Sequence, residues 1–237
     1  MKTHFKTLNI IENKCIIKLL KLGVDTMKNI LIIGIGRAGK TTLSNMIKQK
    51  YNNYSLIHSD SIKWGIIRGE GKENYYRDNV EEQKKWEHSD IFQNILLEIF
   101  NSCVRNDGGE DGYLVDYVKR NNATTNGYGY ILESGQLELR NVIKHINLDN
   151  TIIICLGLGN LTKQGIFDLC RTYDTEKDWS YETSDDDLKK HIEKWYETNE
   201  TLKKECLEYG FKYIDTTHNR KEVLNQVLND ISKEVEN

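Results

Sequence analysis

Eight consecutive residues, Gly34-Ile35-Gly36-Arg37-Ala38-Gly39-Lys40-Thr41, fit the spacing G-x-x-x-x-G-K-[ST] at every fixed position. Glycines let a backbone curl until its N–H groups point inward, the shape that wraps a phosphate. A lysine at the seventh place reaches β- and γ-phosphates as a point charge, and the hydroxyl after it is a ligand for Mg²⁺. On this reading Gly34, Gly36, Arg37, Ala38, Gly39, Lys40, Thr41 and Thr42 line a site for ATP and Mg²⁺. The same letters also spell G-x-G-x-x-G through Gly34, Gly36 and Gly39, with Asp60 at about the distance of the acid that holds a ribose in dinucleotide folds. The Lys-Thr-Thr that follows favours a triphosphate, because a dinucleotide turn needs no lysine there.

Two carboxylates are candidates to share that site. Residues Tyr54 to His58 read as a strand that ends in His58-Ser59-Asp60. Ligands of open α/β sheets bind beyond the carboxyl ends of strands, so Asp60 is delivered to the same crevice as the glycine loop. There it would accept a proton from a substrate hydroxyl or hold Mg²⁺ through water; the competing role is N-cap of a helix marked by Ile62, Ile66 and Ile67. Tyr128 to Leu132 reads as another strand, with Glu133 at its end as a Mg²⁺ or acceptor ligand, or else a solvated turn residue. Lys63, Arg68 and Arg77 are further candidates for holding an anionic acceptor.

The elements that must position these groups follow from hydrophobic spacing. Ile30 to Ile33 and Thr151 to Leu156 are unbroken apolar runs of strand length, as in a parallel sheet covered on both faces. Phe211 to Ile214 is the last strand. Leu43, Met46 and Ile47 mark a helix directly after the loop. Further helices are predicted over about 80–104, Leu137 to Ile146, Leu161 to Thr172, from Ser184 to Tyr209, and Arg220 to Val235. Ser184 with Asp187 three residues on resembles a capping box, and Gly210 is a C-cap. Residues 69–79 and 174–183 are polar and read as loops. The predicted class is α/β, a three-layer architecture with a parallel five-stranded sheet, helices on both faces and a helical lid.

Composition narrows the function. With 33 basic against 36 acidic residues the chain is not a dedicated nucleic-acid binder. The apolar patch around Ile16 to Leu22 is cut by Lys18 and Lys21 and is too short to span a membrane. Five scattered cysteines with no C-x-x-C pair argue against a disulfide framework or zinc ribbon, and point to a reducing, cytoplasmic setting, with Cys155 as a small core residue. Residues 1–27 read as an N-terminal extension, either a leader or an amphipathic helix, before a single domain over 28–237.

The order strand, glycine loop, helix, strand ending in Asp60, helical insert, strand ending in Glu133, strand, helix–polar loop–helix, last strand and helix resembles the nucleoside-monophosphate-kinase-like group of P-loop small-molecule kinases, adenylate kinase-like within the AAA-type P-loop NTPases. The resemblance covers about residues 28–235, and the GxxxxGKT loop is its one specific motif. It implies a phosphotransferase acting on a small molecule (a nucleoside, nucleotide, sugar or similar hydroxyl acceptor), a monomer or homodimer, with an acceptor-side helical insert over about 62–126 and a lid over about 171–185. It implies that Arg171 reaches the transferring phosphate, with Lys163 and Lys177 as weaker candidates. The loop of Thr216, Thr217 and His218 would pack on adenine, and Asp60 would be the acceptor-site base. Kinases of nucleoside monophosphates show several lid arginines. This chain has one, which points to a hydroxyl acceptor. Alternatives are a nucleotide-binding switch without transfer and, on the GxGxxG reading, an NAD-dependent oxidoreductase. A GTPase lacks support, since N-K-x-D and a suitably placed D-x-x-G are missing.

Overall fold

Strand β1 (Asn29–Gly34) is buried along its whole length, and alternation sends its side chains to two different cores. Ile30 and Ile32 pack on one face of the sheet with Leu43 and Ile47 of α1 (Lys40–Lys50) and with Leu224, Val227 and Ile231 of α9 (Arg220–Val235). Leu31 and Ile33 face the other way, onto Phe92, Leu96 and Phe100 of α5 (Asp90–Val104) and Leu139 and Val142 of α6 (Leu139–His145). A strand that is apolar on both faces must be covered on both, so three layers follow. The computed structural model describes residues 27–104 and 129–236; the expected N-terminal extension and the stretch between α5 and the third strand lie outside these.

The sheet also contains β2 (Tyr54–His58), β3 (Gly129–Ser134), β4 (Thr151–Gly157) and β5 (Tyr213–Asp215). All pairs are parallel and the order is β2-β3-β1-β4-β5. This is the α/β class expected, in the P-loop NTPase arrangement. The order also answers the GxGxxG alternative: β3 lies beside β1, whereas the mononucleotide half of a dinucleotide fold places its second strand there.

The remaining helices are α2 (Ser59–Gly69), α3 (Glu73–Asp78), α4 (Val80–Glu87), α7 (Lys163–Tyr173) and α8 (Asp185–Tyr209). Helix α8 starts where the Ser184 side chain accepts from the Asp187 N–H at 3.2 Å, and it stops at Gly210 with φ of 76°. Its first half puts Leu188 and Ile192 in one core and its second half puts Leu202 and Cys206 in the other. It therefore crosses over the carboxyl edge of the sheet, above the glycine loop. Among the described residues no helix is long and apolar enough to cross a membrane.

Two expectations need correction. The helix predicted over 80–104 is two helices, α4 and α5, broken at His88-Ser89, where the Ser89 hydroxyl accepts from the Phe92 N–H at 3.3 Å and restarts the ladder. The stretch 69–79, polar enough to read as loop, contains α3, because Tyr76 is buried against Trp86 with ring centroids 6.0 Å apart.

Candidate active site

The carboxyl ends of β1, β2 and β3 meet at one place. Helix α1 begins at Gly39, whose φ of 89° is left-handed backbone that glycine adopts without cost. No side chain caps this helix and no acid lies in its first turn, so its N–H groups and positive end are left to an anion. The Lys40 ammonium folds back and donates to the Ile35 carbonyl at 2.8 Å. Burial pushes Lys40 below its ordinary pKa, while Glu133 and Asp60 pull the other way. A cation short of solvent and flanked by carboxylates is matched to incoming phosphate oxygens.

Glu133 is the best-held acid. His58 and Glu133 are partners in the β2–β3 ladder, and Glu133 is the partner of Ile32 in the β1–β3 ladder. These residues share a face, the one that α1 covers. There Glu133, only 8% exposed, accepts from Thr41 Oγ1 at 3.0 Å and Ser44 Oγ at 2.8 Å, and lies 2.8 Å from His58 Nδ1. A carboxylate only accepts, so Nδ1 is the protonated nitrogen of His58. Thr41 and Glu133 thus stand side by side as oxygen ligands of the kind Mg²⁺ takes, and a partly hydrated Mg²⁺ needs only one or two protein groups besides nucleotide phosphates. The donor set fits the metal. Ser44 and His58 belong to no motif in the sequence.

Asp60 lies in the first turn of α2 and is not its cap; the N-cap is His58. It pairs with Lys63 at 2.9 Å and accepts from Gln136 Nε2 at 3.1 Å. Burial would raise its pKa, but Lys63, Gln136 and Lys40 together hold it below the usual carboxylate range. It is therefore ionised at neutral pH and a weak base, suited to orient a hydroxyl more than to take its proton. Gln136 is fixed in turn by Ser59 and Ser134, whose hydroxyls lie 2.6 and 3.1 Å from its Oε1.

The segment expected to form a lid, about 171–185, is clasped by two arginines. Arg37, in left-handed backbone at φ 66°, sends its guanidinium to Asp174 at 2.8 Å, to Asp178 at 2.7 Å and to the Ser180 hydroxyl. Arg171 donates to the carbonyls of Ser180 at 2.8 Å and Thr183 at 2.7 Å, and pairs with Asp185 at 2.7 Å. The role expected of Arg171 was contact with a transferring phosphate. All these partners lie within residues 180–185, so in this conformation Arg171 braces that segment. The indole of Trp195 on α8 covers Gly36: a Cβ there would lie 2.3 Å from the ring. Trp179 stands edge-on to Trp195, with centroids 6.1 Å apart.

The loop after β5 is held to the phosphate loop. Thr217 bonds locally, its N–H donating to Asp215 at 2.9 Å. The neighbouring Thr216 is fully buried, and its hydroxyl lies 3.1 and 3.0 Å from the carbonyls of Ala38 and Gly157, tying this loop to the phosphate loop. Arg220, beside Gly39, makes no ion pair among the described residues; burial and the charge of Arg37 push its pKa down. Arg220 is a second cation beside the phosphate loop, and its sequence signal was its position opening the last helix.

No protein-family model matches the sequence, and no curated protein matches it. Among solved structures the chain is similar to a gluconokinase from Sinorhizobium meliloti 1021, at 11% identity over 89% of this chain and 95% of that one, with a TM-score of 0.44. It is similar to a shikimate kinase from Bacteroides thetaiotaomicron, at 15% identity over 89% of this chain and 99% of that one, with a TM-score of 0.46.

Proposed function

We propose that this chain is a P-loop phosphotransferase that uses ATP and Mg²⁺ to phosphorylate a small molecule at a hydroxyl. The observation that carries the reading is the Thr41–Glu133 pair, 3.0 Å apart beside Lys40 at an uncapped, acid-free helix N-terminus. The loop N–H groups and Lys40 bind the β- and γ-phosphates, and Arg220 adds positive charge beside them. Mg²⁺, when bound, neutralises charge developing on the phosphate oxygens, and Thr41 and Glu133 would hold it. His58 and Ser44 keep the Glu133 carboxylate aimed at Thr41. Asp60 orients the acceptor hydroxyl. The lid, held by Arg37 and Arg171, and the indole of Trp195 exclude water from the loop. Catalysis on this account is positioning and electrostatics, with little covalent work for the protein. Cys155, Cys170 and Cys206 are buried and form no disulfide, which supports a reducing, cytoplasmic setting.

The test is calorimetric titration with ATP, with and without Mg²⁺. Wild type should bind ATP more tightly with Mg²⁺ than without. Lys40→Ala should lose at least tenfold in affinity, and Glu133→Gln should lose most of the Mg²⁺ dependence. Equal ATP affinity in all three proteins would contradict the reading.

A further inference from the structure

A cleft opens next to the phosphate loop, lined by Ile33 and Gly34 at the end of β1, by Gly135 and Glu138 after β3, by His88, and by α8. A Cβ on Gly135 would stand 3.8 Å from Lys40 Nζ, so the cleft abuts the lysine that would hold the transferring phosphate. Its volume is about 130 Å³. An engineered cavity of about 150 Å³ holds a benzene ring, so this is the scale of one six-membered ring.

The lining decides the charge of the occupant. Among the described residues the charged groups lining the cleft are Lys194, Glu138, Glu197 and Glu205, three carboxylates against one ammonium, with Glu138 paired to Arg140 at 2.5 Å. Lys194 already stands 3.8 Å from Glu197. Among the described residues no arginine lines it. His88 brings no positive charge near neutral pH, because burial, together with Lys194, Lys63 and Lys84, pushes its pKa down to about 4. Among the described residues an anionic acceptor would meet net negative charge along this lining, and Lys40 beside it is the cation that would hold the transferring phosphate. Hydroxyl groups fare better: Thr198 and Thr201 lie one turn apart on α8, Thr198 donates to the Lys194 carbonyl and keeps its oxygen as an acceptor, and the Thr201 hydroxyl makes no hydrogen bond among the described residues.

We propose that this cleft is the acceptor site and that it selects an uncharged polyol of about monosaccharide size over anionic analogues of the same skeleton, through Glu138, Glu197, Thr198 and Thr201. This rests on the phosphotransferase reading for its chemistry, and on the cleft alone for its selectivity. A site built to hydrogen-bond hydroxyls while presenting carboxylates rejects a phosphate or carboxylate by leaving it unpaired among like charges.

The experiment uses matched probes: hexoses, the corresponding hexonic acids and the hexose 6-phosphates. Each is offered to the full chain with ATP-Mg²⁺ for product detection by mass spectrometry. Each is also titrated calorimetrically, with and without a non-hydrolysable ATP analogue. The neutral member of a set should bind and accept phosphate at least tenfold better than either anionic member. Glu197→Lys, at an exposed helix position, should narrow that preference tenfold or more, and Thr201→Val should weaken the neutral probe with thermal stability retained. Preference for an anionic member, or binding of no neutral hexose while ATP is still bound, overturns the proposal and leaves the phosphotransferase reading standing. Loss of ATP binding with hexose selectivity intact overturns that reading and leaves the cleft assignment.

Discussion

Arg37 combines two opposed effects in one residue, and substitution separates them. A side chain in left-handed backbone costs about 1 kcal/mol relative to glycine. Against this stand two carboxylates. Asp174, whose side chain is 4% exposed, would be left buried without its cation. For a fully buried pair that costs about 3–5 kcal/mol, and the 21% exposure of Arg37 brings it nearer to about 2. The more open Asp178 pair adds about 0.5 kcal/mol. Arg37→Ala keeps the strain and loses the pairs, so it should destabilise by about 2.5 kcal/mol. Arg37→Gly sheds the strain and should cost about 1.5 kcal/mol. In a domain of this size that corresponds to Tm decreases of about 5–10 °C for Ala and about 3–6 °C for Gly. The pH dependence has a definite sign. Arg37 holds the Asp178 carboxyl down at about 2, from an ordinary value near 4. A depressed carboxyl contributes stability above its unfolded pKa and loses it as pH falls through the folded one, so the gap between wild type and either variant should be full at pH 7 and shrink between about pH 4 and pH 2. Thermal and urea denaturation measure both quantities. Arg37→Ala as stable as Arg37→Gly, or neither variant below wild type, would refute the reasoning.

Gly36→Ala should destabilise by about 1–3 kcal/mol, because its methyl would overlap the Trp195 indole. In a double-mutant cycle the cost should fall by at least about 1 kcal/mol in a Trp195→Ala background; additive effects would show that the overlap is not its cause. His88 is neutral when folded, with a pKa near 4 against an ordinary 6.5. The unfolded chain binds the proton more readily, so wild-type stability should fall as pH drops from about 6.5 to about 4, and His88→Gln should flatten that limb. An NMR titration placing His88 near 6.5 in the folded protein would contradict this.

The sequence showed the site's chemistry where the chemistry is local. Gly34 to Thr41 are contiguous, their spacing is the motif, and the flanking apolar runs place them between a strand and a helix. Asp60 and Glu133 were legible as strand-end acids, because strand ends converge in any parallel sheet. What holds those acids was not. His58 reaches Glu133 through strand register, and Ser44 reaches it because α1 covers that face; neither fact is written in periodicity. The clasp of Arg37 on Asp174 and Asp178 joins residues more than a hundred positions apart, so Arg37 read only as part of the loop, and Arg171 read as a free lid cation. Thr216 and Thr217 are alike in type and adjacent in sequence, and only burial distinguishes the one tied to Ala38. The break at His88-Ser89 had a local signal, a serine ahead of an apolar helix, which the continuous apolar spacing masked.

The central claim is phosphoryl transfer. Its most direct test is incubation of wild type with ATP-Mg²⁺ and a pooled panel of hexoses, cyclitols, nucleosides, sugar acids and nucleoside monophosphates, read by mass spectrometry for a gain of one phosphoryl group, with Lys40→Ala as control. The account predicts a phosphorylated hydroxyl compound from wild type, reduced by a hundredfold or more in the variant. Product at comparable rates from both proteins, or tight ATP-Mg²⁺ binding by wild type with no acceptor in the panel phosphorylated, would contradict it.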